Sequence, residues 1–247
     1  MPDKAWYKDW FNSHYYHLLY QHRDDQEAME FIRQLIDYLN PEKGTAMIDI
    51  ACGKGRHSKA LADMGFDVTG IDLSAASIQE AKQEEEDRLH FFQHDMRLPF
   101  WINYFDYAFN FFTSFGYFKT RREHDNAIRT IAQSLKPGGI FVVDYLNVHH
   151  TEDQLEKLFS TTIDDITFHI TKWHTEEHFF KQIQITDTAI KAPKHLYTER
   201  VAKFTLGDFT DMLAYQGMQV QEVFGDYHLG RYDVRKSPRM IIVARKQ

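Results

Sequence analysis

The sequence predicts an α/β protein built on a doubly wound, mostly parallel sheet of seven strands with helices on both faces, preceded by N-terminal helices and interrupted after the fifth strand by a small antiparallel β insertion. Three observations predict it. Between Gly44 and Tyr145, short apolar runs alternate with helix-patterned stretches, the texture of parallel strands joined by helical crossovers. Two glycines, Gly53 and Gly55, fall where the first apolar run gives way to the first of those helices. After about His149 the runs succeed one another with no helix between them, which reads as antiparallel pairing.

The first forty residues contain no glycine and place Trp6, Trp10, Phe11, Tyr15, Leu18 and Leu19, then Ala28, Phe31, Ile32, Leu35, Ile36 and Leu39, at helical spacings. Two helices are expected, the second stopped by Asn40-Pro41. Strands are then expected over 46–50, 68–71, 89–92, 107–112 and 140–145, with helices over 59–64, 75–86 and 125–135, the last stopped by Pro137-Gly138-Gly139. Runs over 167–173, 179–185 and 195–204 form the antiparallel set. A helix over 206–215 ends near Gly217, and strands over 220–224 and 240–243 return to the main sheet. The chain thus divides into N-terminal helices (1–40), a ligand-binding core (41–149), the insertion (150–204) and a closing segment (205–247).

A chain of 247 residues suffices for one large domain with a small appendage. Hydrophobic residues at 43% and charged residues at 26% exclude extensive disorder. With 29 Lys and Arg against 36 Asp and Glu, the net charge of -7 provides no cationic field for nucleic acid or an anionic membrane. No apolar run approaches a membrane-spanning length, and the single cysteine cannot form an internal disulfide, so a cytoplasmic protein is expected. The acidic run 84–87 reads as a solvated helix face.

The segment 47–58 sits at a strand-to-helix turn. Glycines at 53 and 55 permit a tight turn and the close approach of a ligand, and the helix that follows offers free N–H groups to a carboxylate. Asp49 is placed to accept from a ligand ammonium. Nineteen residues after Gly53, a second strand ends at Asp72, the position from which a carboxylate holds both hydroxyls of a ribose. The spacing therefore indicates a nucleoside. A nicotinamide dinucleotide is the rival ligand, but its fingerprint requires glycine at position 58, where this chain has Ser58.

The pattern Asp49-x-Ala51-Cys52-Gly53-x-Gly55 resembles the first motif of class I S-adenosylmethionine-dependent methyltransferases, and Asp72 falls on their second. The resemblance continues through Gln93-His94-Asp95-Met96, Phe105-Asp106 and Leu135-Lys136-Pro137-Gly138-Gly139, in the family's order over residues 45–147. It implies a Rossmann-like fold and S-adenosylmethionine as cofactor, with S-adenosylhomocysteine as product. It further implies that Asp49, Ala51 and Gly53 line the methionine moiety and that Asp72 holds the ribose, with Cys52, Gly55 and Leu73 also in the cofactor site. Asp95 and Met96 would meet the adenine, and Asn110 and Phe111 would close the sulfur side. Ala51 departs from the commoner glycine without removing a polar group.

Around this core, Tyr16, Tyr20 and Arg23 are candidates for an N-terminal lid over the cofactor, with plain amphipathic packing as the alternative. Phe115 and Tyr117, past the fourth strand, are candidates for an acceptor pocket, with core packing as the alternative. Asn147, His149 and His150 follow the fifth strand, the asparagine as an acceptor contact and the histidines as candidate bases for a hydroxyl acceptor. Cys52 reads as a small buried thiol rather than a nucleophile. The His174-x-x-x-His178 stretch matches a zinc-peptidase signature formally, but its flanks read as strands and no metal is expected.

The expected reaction is in-line methyl transfer to a nitrogen or oxygen of a small molecule, with no nucleic-acid or membrane partner. The insertion resembles those of amino-sugar N-methyltransferases that cover the acceptor; a homodimer contact is its other use. A nicotinamide oxidoreductase, an aminopropyl transferase and a non-catalytic S-adenosylmethionine-binding protein are the rival readings.

Overall fold

The structure, a computed structural model, describes residues 6–20, 25–187 and 195–247. Its central element is β1 (Ala46–Ile50), a run of apolar residues around Asp49 that is buried from Met47 onward and therefore needs cover on both faces. Parallel neighbours flank it: β2 (Asp67–Asp72) on one side and β4 (Phe105–Asn110) on the other, with β3 (Leu89–Gln93) beyond β2 and β5 (Leu135–Leu146) beyond β4. The last two strands, β10 (Met218–Phe224) and β11 (Arg239–Lys246), complete the sheet, β11 running antiparallel to both β5 and β10. The order β10-β11-β5-β4-β1-β2-β3 gives the seven strands expected, and it reverses direction between β1 and β4. In sheets of this kind the crevice at that reversal, outside the carboxyl ends of the strands, receives ligands.

Helices α3 (Asp25–Leu39) and α4 (Arg56–Asp63) cover one face, where Phe31, Ile32, Leu35 and Leu61 pack with Met47, Val68 and Phe91. Helices α6 (Arg121–Ser134) and α8 (Leu206–Ala214) cover the other, packing Ile128, Ile131, Phe209 and Leu213 against Ile48, Phe141 and Ile242. Both open with a reciprocal cap, Thr120 with Glu123 and Thr205 with Asp208, each side chain accepting from the other's backbone N–H. Between β2 and β3, α5 (Ala75–Ala81) is capped by Ser74 and continues into a 3-10 turn over Lys82–Glu84, splitting the single helix expected over 75–86.

The antiparallel set is a separate four-stranded sheet, β6 (Leu158–Ile163), β7 (Ile166–His174), β8 (His178–Asp187) and β9 (His195–Ala202). β6 was not anticipated; its alternation of exposed and half-buried residues resembles a loop until paired with β7. Among the described residues the N-terminal segment forms three helices where two are expected. α1 (Trp6–Phe11) stops at Asn12-Ser13, and Ser13 Oγ accepts from Tyr16 N–H at 3.1 Å to start α2 (His14–Tyr20). Trp10 and Leu18 pack on Phe168, Ile170, Ile183 and Ile185 of the second sheet. Tyr145 Oη donates to Ala202 O at 2.5 Å, and Ala202 N–H donates to Gly116 O, tying that sheet to the core. Among the described residues no helix is long and apolar enough to cross a membrane.

Candidate active site

A cleft opens beyond the carboxyl ends of β1, β2 and β3, at the sheet reversal. It is open to solvent and spans about 1000 Å³ when the space at its open mouth is included. Its floor is the turn after β1, where Ala51 at φ 62° and Gly53 at φ 58° are both left-handed. A Cβ on Gly53 would meet no atom within 4 Å, so the space beside it is open for a ligand. Gly55 differs. Its Cβ would fall 2.4 Å from Phe91 Cζ, so glycine there serves packing between α4 and β3, and it does not line the cleft.

Asp72 forms the next wall. Its Oδ2 accepts from Gly53 N–H at 2.9 Å and its Oδ1 from Ser74 N–H at 2.7 Å, leaving each oxygen further lone pairs for a diol. Burial pushes its carboxyl above the ordinary range despite those amides. Behind the loop lies Asp49, 1% exposed, accepting from Ser58 Oγ at 2.7 Å. Burial, reinforced by the charge of Asp72, raises its carboxyl to about 7 against the opposing hydrogen bond from Ser58. Ser58 thus fills the position where the dinucleotide fingerprint requires glycine, and its hydroxyl is committed to Asp49.

Leu73, Ser74 and Ser77 continue the wall, followed by His94, Asp95 and Met96 after β3. Asp95 is held by Arg97, whose Nε and Nη2 donate at 3.0 and 2.7 Å. The opposite wall is Phe112, Ser114, Tyr117 and Phe118, past β4. Phe11, Tyr16, Tyr20 and Glu199 close the top, brought there by the N-terminal helices and β9.

The cleft therefore gathers Tyr16, Tyr20, Ala51, Gly53, Asp72, Leu73, Asp95, Met96 and Tyr117 from the candidates named above. Arg23 lies outside the described residues. Others are placed elsewhere. Cys52 is buried against Gly70, with its thiol pushed up by burial and by Asp49. Asn110 donates from Nδ2 to Ile50 O at 2.9 Å, and Phe111 stacks on Phe109 in the core, because β4 ends at Asn110 and the chain turns left-handed at Phe112 and Thr113. That turn makes Phe112 the wall residue instead.

Phe115 is a correction: it is fully buried among Phe118, His124, Phe204 and Phe209, not in the pocket, because Gly116 at φ 98° turns the chain only after it. Asn147 is another. Its Nδ2 donates to the carbonyls of Asp233, Val234 and Ser237 at 3.3, 3.1 and 2.8 Å, clamping the turn before β11. His149 and His150 lie on α7 (Val148–Asp153), after the end of β5, and neither lines the cleft. His174 ends β7 and His178 begins β8, on either side of a turn and not on one helix face as a zinc-peptidase pair requires.

Among lining residues the sequence reading did not select, Ser74 and Ser77 were legible as the cap after Asp72, and His94 as the neighbour of Asp95. Phe11 and Glu199 carry no local signal, since distant segments deliver them.

Residues 47–139 match the family described as a methyltransferase domain. A dTDP-3-amino-3,4,6-trideoxy-alpha-D-glucopyranose N,N-dimethyltransferase of Streptomyces venezuelae is 33% identical over 132 residues, 52% of this chain and 54% of that protein. A dTDP-3-amino-3,6-dideoxy-alpha-D-glucopyranose N,N-dimethyltransferase of Streptomyces fradiae is 30% identical over 124 residues, 50% of this chain and 46% of that protein. The chain thus matches about half the length of these curated relatives. In three dimensions the CcbJ methyltransferase of Streptomyces caelestis superposes with a TM-score of 0.78 at 17% identity, covering 99% of each chain. The reversal-point cleft, the motif order and these likenesses agree: residues 47–139 match a methyltransferase domain, and the chain has the fold of known methyltransferases.

Proposed function

We propose that this protein transfers a methyl group from S-adenosylmethionine to a nitrogen or oxygen of a small molecule. The observation that carries the reading is the pair of carboxylates around the open backbone at Gly53, Asp49 buried behind the loop and half-buried Asp72 beside it. Such a pair calls for a cationic, hydroxyl-bearing ligand. Asn110 Oδ1, buried at the end of β4 with no donor among the described residues, is a further acceptor beside the same loop. An amino-acid tail with an ammonium and a ribose with a diol fit these groups.

When bound, S-adenosylmethionine supplies an activated methyl whose C–S bond breaks as the acceptor's lone pair forms the new bond, the electron pair remaining on sulfur. The chain's own contribution is placement. Asp72 accepts from the ribose hydroxyls, the Asp49–Asp72 pair balances the ammonium, and the segment 94–96 with Leu73 flanks the base. Phe112, Tyr117, Tyr16 and Tyr20 exclude water from the reacting end, where alignment provides most of the acceleration. Amino-sugar methylation by the two Streptomyces relatives, as their names state, supports a small-molecule acceptor.

Calorimetry with S-adenosylmethionine, S-adenosylhomocysteine and NAD, followed by a labelled-methyl screen against cell metabolites, tests the reading. Binding of the first two but not NAD, with label entering a metabolite, is expected. Absence of S-adenosylhomocysteine binding would discard the reading, and binding without transfer would leave a non-catalytic binder.

A further inference from the structure

The acceptor end of the cleft has a chemistry of its own. Glu199 reaches it from β9 with its side chain only 13% exposed. Its Oε1 accepts from Trp10 Nε1 and from Tyr20 Oη, both at 2.7 Å. Its Oε2 has no hydrogen-bond donor among the described residues; the nearest cation, Lys181 Nζ, is 4.0 Å away and donates instead to Tyr20 Oη. The aromatic residues that touch the carboxylate are Trp10 and Tyr20, and the rings of Phe11, Tyr16 and Tyr117 line the same cleft, Phe11 against Tyr16 and Tyr117 and Tyr16 against Tyr20. Among the described residues, no lysine or arginine lines the cleft; its charged side chains are Asp72, Asp95 and Glu199. Asp95 is already paired with Arg97, and Asp72 is bound to backbone amides.

A carboxylate with one unused oxygen, framed by aromatic rings, attracts an ammonium through charge and through the ring faces together. A phosphate or diphosphate placed there would meet the same carboxylates, and the described cation nearby, Lys181, is already engaged with Tyr20 and Glu199. Resting on the methyltransferase reading above, we propose that Glu199 binds a protonated amino group of the acceptor, distinct from the nitrogen or oxygen whose lone pair takes the methyl, and that the acceptor carries no phosphate, unlike the nucleotide-linked amino sugars named for the two Streptomyces relatives.

The test uses the full chain saturated with S-adenosylhomocysteine, with benzylamine and phenylacetate as probes of opposite charge and glucosamine and glucosamine 6-phosphate as a second pair. Calorimetry of S-adenosylhomocysteine alone comes first; its failure removes the methyltransferase reading, whereas its success isolates the acceptor question. Benzylamine and glucosamine are expected to bind the complex at least tenfold more tightly than their anionic counterparts. Glu199→Gln, which keeps an acceptor for Trp10 and Tyr20, is expected to abolish that preference while leaving S-adenosylhomocysteine affinity within twofold. Tyr20→Phe, which loosens the same tie but leaves the carboxylate, is expected to retain it. Equal or weaker binding of the amines in the wild type, no binding of either amine, or an unchanged preference in Glu199→Gln would each overturn the proposal.

Discussion

Arg239 Nε and Nη2 both donate to one oxygen of Asp144, at 2.8 and 2.6 Å, while the other oxygen of Asp144 accepts from Phe112 N–H at 2.8 Å. Asp144 is fully buried and Arg239 half-buried, and Arg239 Nη2 also donates to Thr113 Oγ1 at 2.8 Å. It holds Phe112 and Thr113 in the left-handed conformation, which turns the Phe112 ring into the cleft and against His57. Arg239→Met should therefore cost about 3–5 kcal/mol, because it leaves a buried carboxylate uncompensated. Asp144→Leu combined with Arg239→Met should recover most of that loss in urea unfolding, yet leave S-adenosylmethionine binding weakened, since nothing then fixes Phe112. Full recovery of both would show that the pair does not position the wall.

The two glycines of the loop separate stability from binding. Gly55→Ala places a methyl 2.4 Å from Phe91 at φ 82° and should lower stability by about 2–4 kcal/mol through combined backbone strain and overpacking. Gly53→Ala meets no atom within 4 Å and should cost only the left-handed conformation, about 1–2 kcal/mol. Its methyl nevertheless enters ligand space, so the dissociation constant for S-adenosylhomocysteine should rise at least tenfold. Thermal melts and calorimetry on both variants decide the matter; a Gly53→Ala protein with wild-type affinity would show that the ligand does not approach here.

Ala51 is strained in the opposite sense, an L-residue at φ 62° where glycine is at ease. Ala51→Gly should raise stability by about 0.5–1 kcal/mol, the relief of left-handed strain exceeding the entropy gained by the unfolded chain. A lower melting temperature would contradict this.

Much of this site was legible because it is local. The Asp49-to-Gly55 loop and Asp72 follow strands whose apolar runs are long enough to announce them, and the acids come at the strand ends. What was not legible depends on tertiary context. Phe111 and Phe112 are identical by residue type, and only Asp144, 32 residues later, decides which faces the cleft. Phe115 and Tyr117 are separated by the turn at Gly116, whose Cβ would strike Tyr145 Oη at 2.4 Å. Asn147 looked like a rim residue, but the three carbonyls that occupy its amide come from residues 233–237. Glu199 is one polar residue in an ordinary strand, and its place in the cleft follows only from how the second sheet docks.

The raised carboxyl of Asp49 makes both stability and binding depend on pH. Its folded value of about 7 lies above the ordinary 3.8, so the ligand-free protein holds this proton where the unfolded chain has released it. That contribution to stability is complete below about pH 4 and is lost as pH rises toward 7, a change of up to about 4 kcal/mol for this group alone. A cationic ligand beside the Asp49–Asp72 pair favours the ionised form, so binding below pH 7 must expel the proton. S-adenosylhomocysteine, which carries the same ammonium, should therefore bind more tightly as pH increases from 5.5 to 7.5, with proton release detectable by calorimetry in buffers of different ionisation enthalpy. Asp49→Asn should flatten both dependences, raising ligand-free stability at pH 7.5 while weakening binding there. A wild-type affinity that is level across that interval, with no proton released, would place the ammonium away from these two acids.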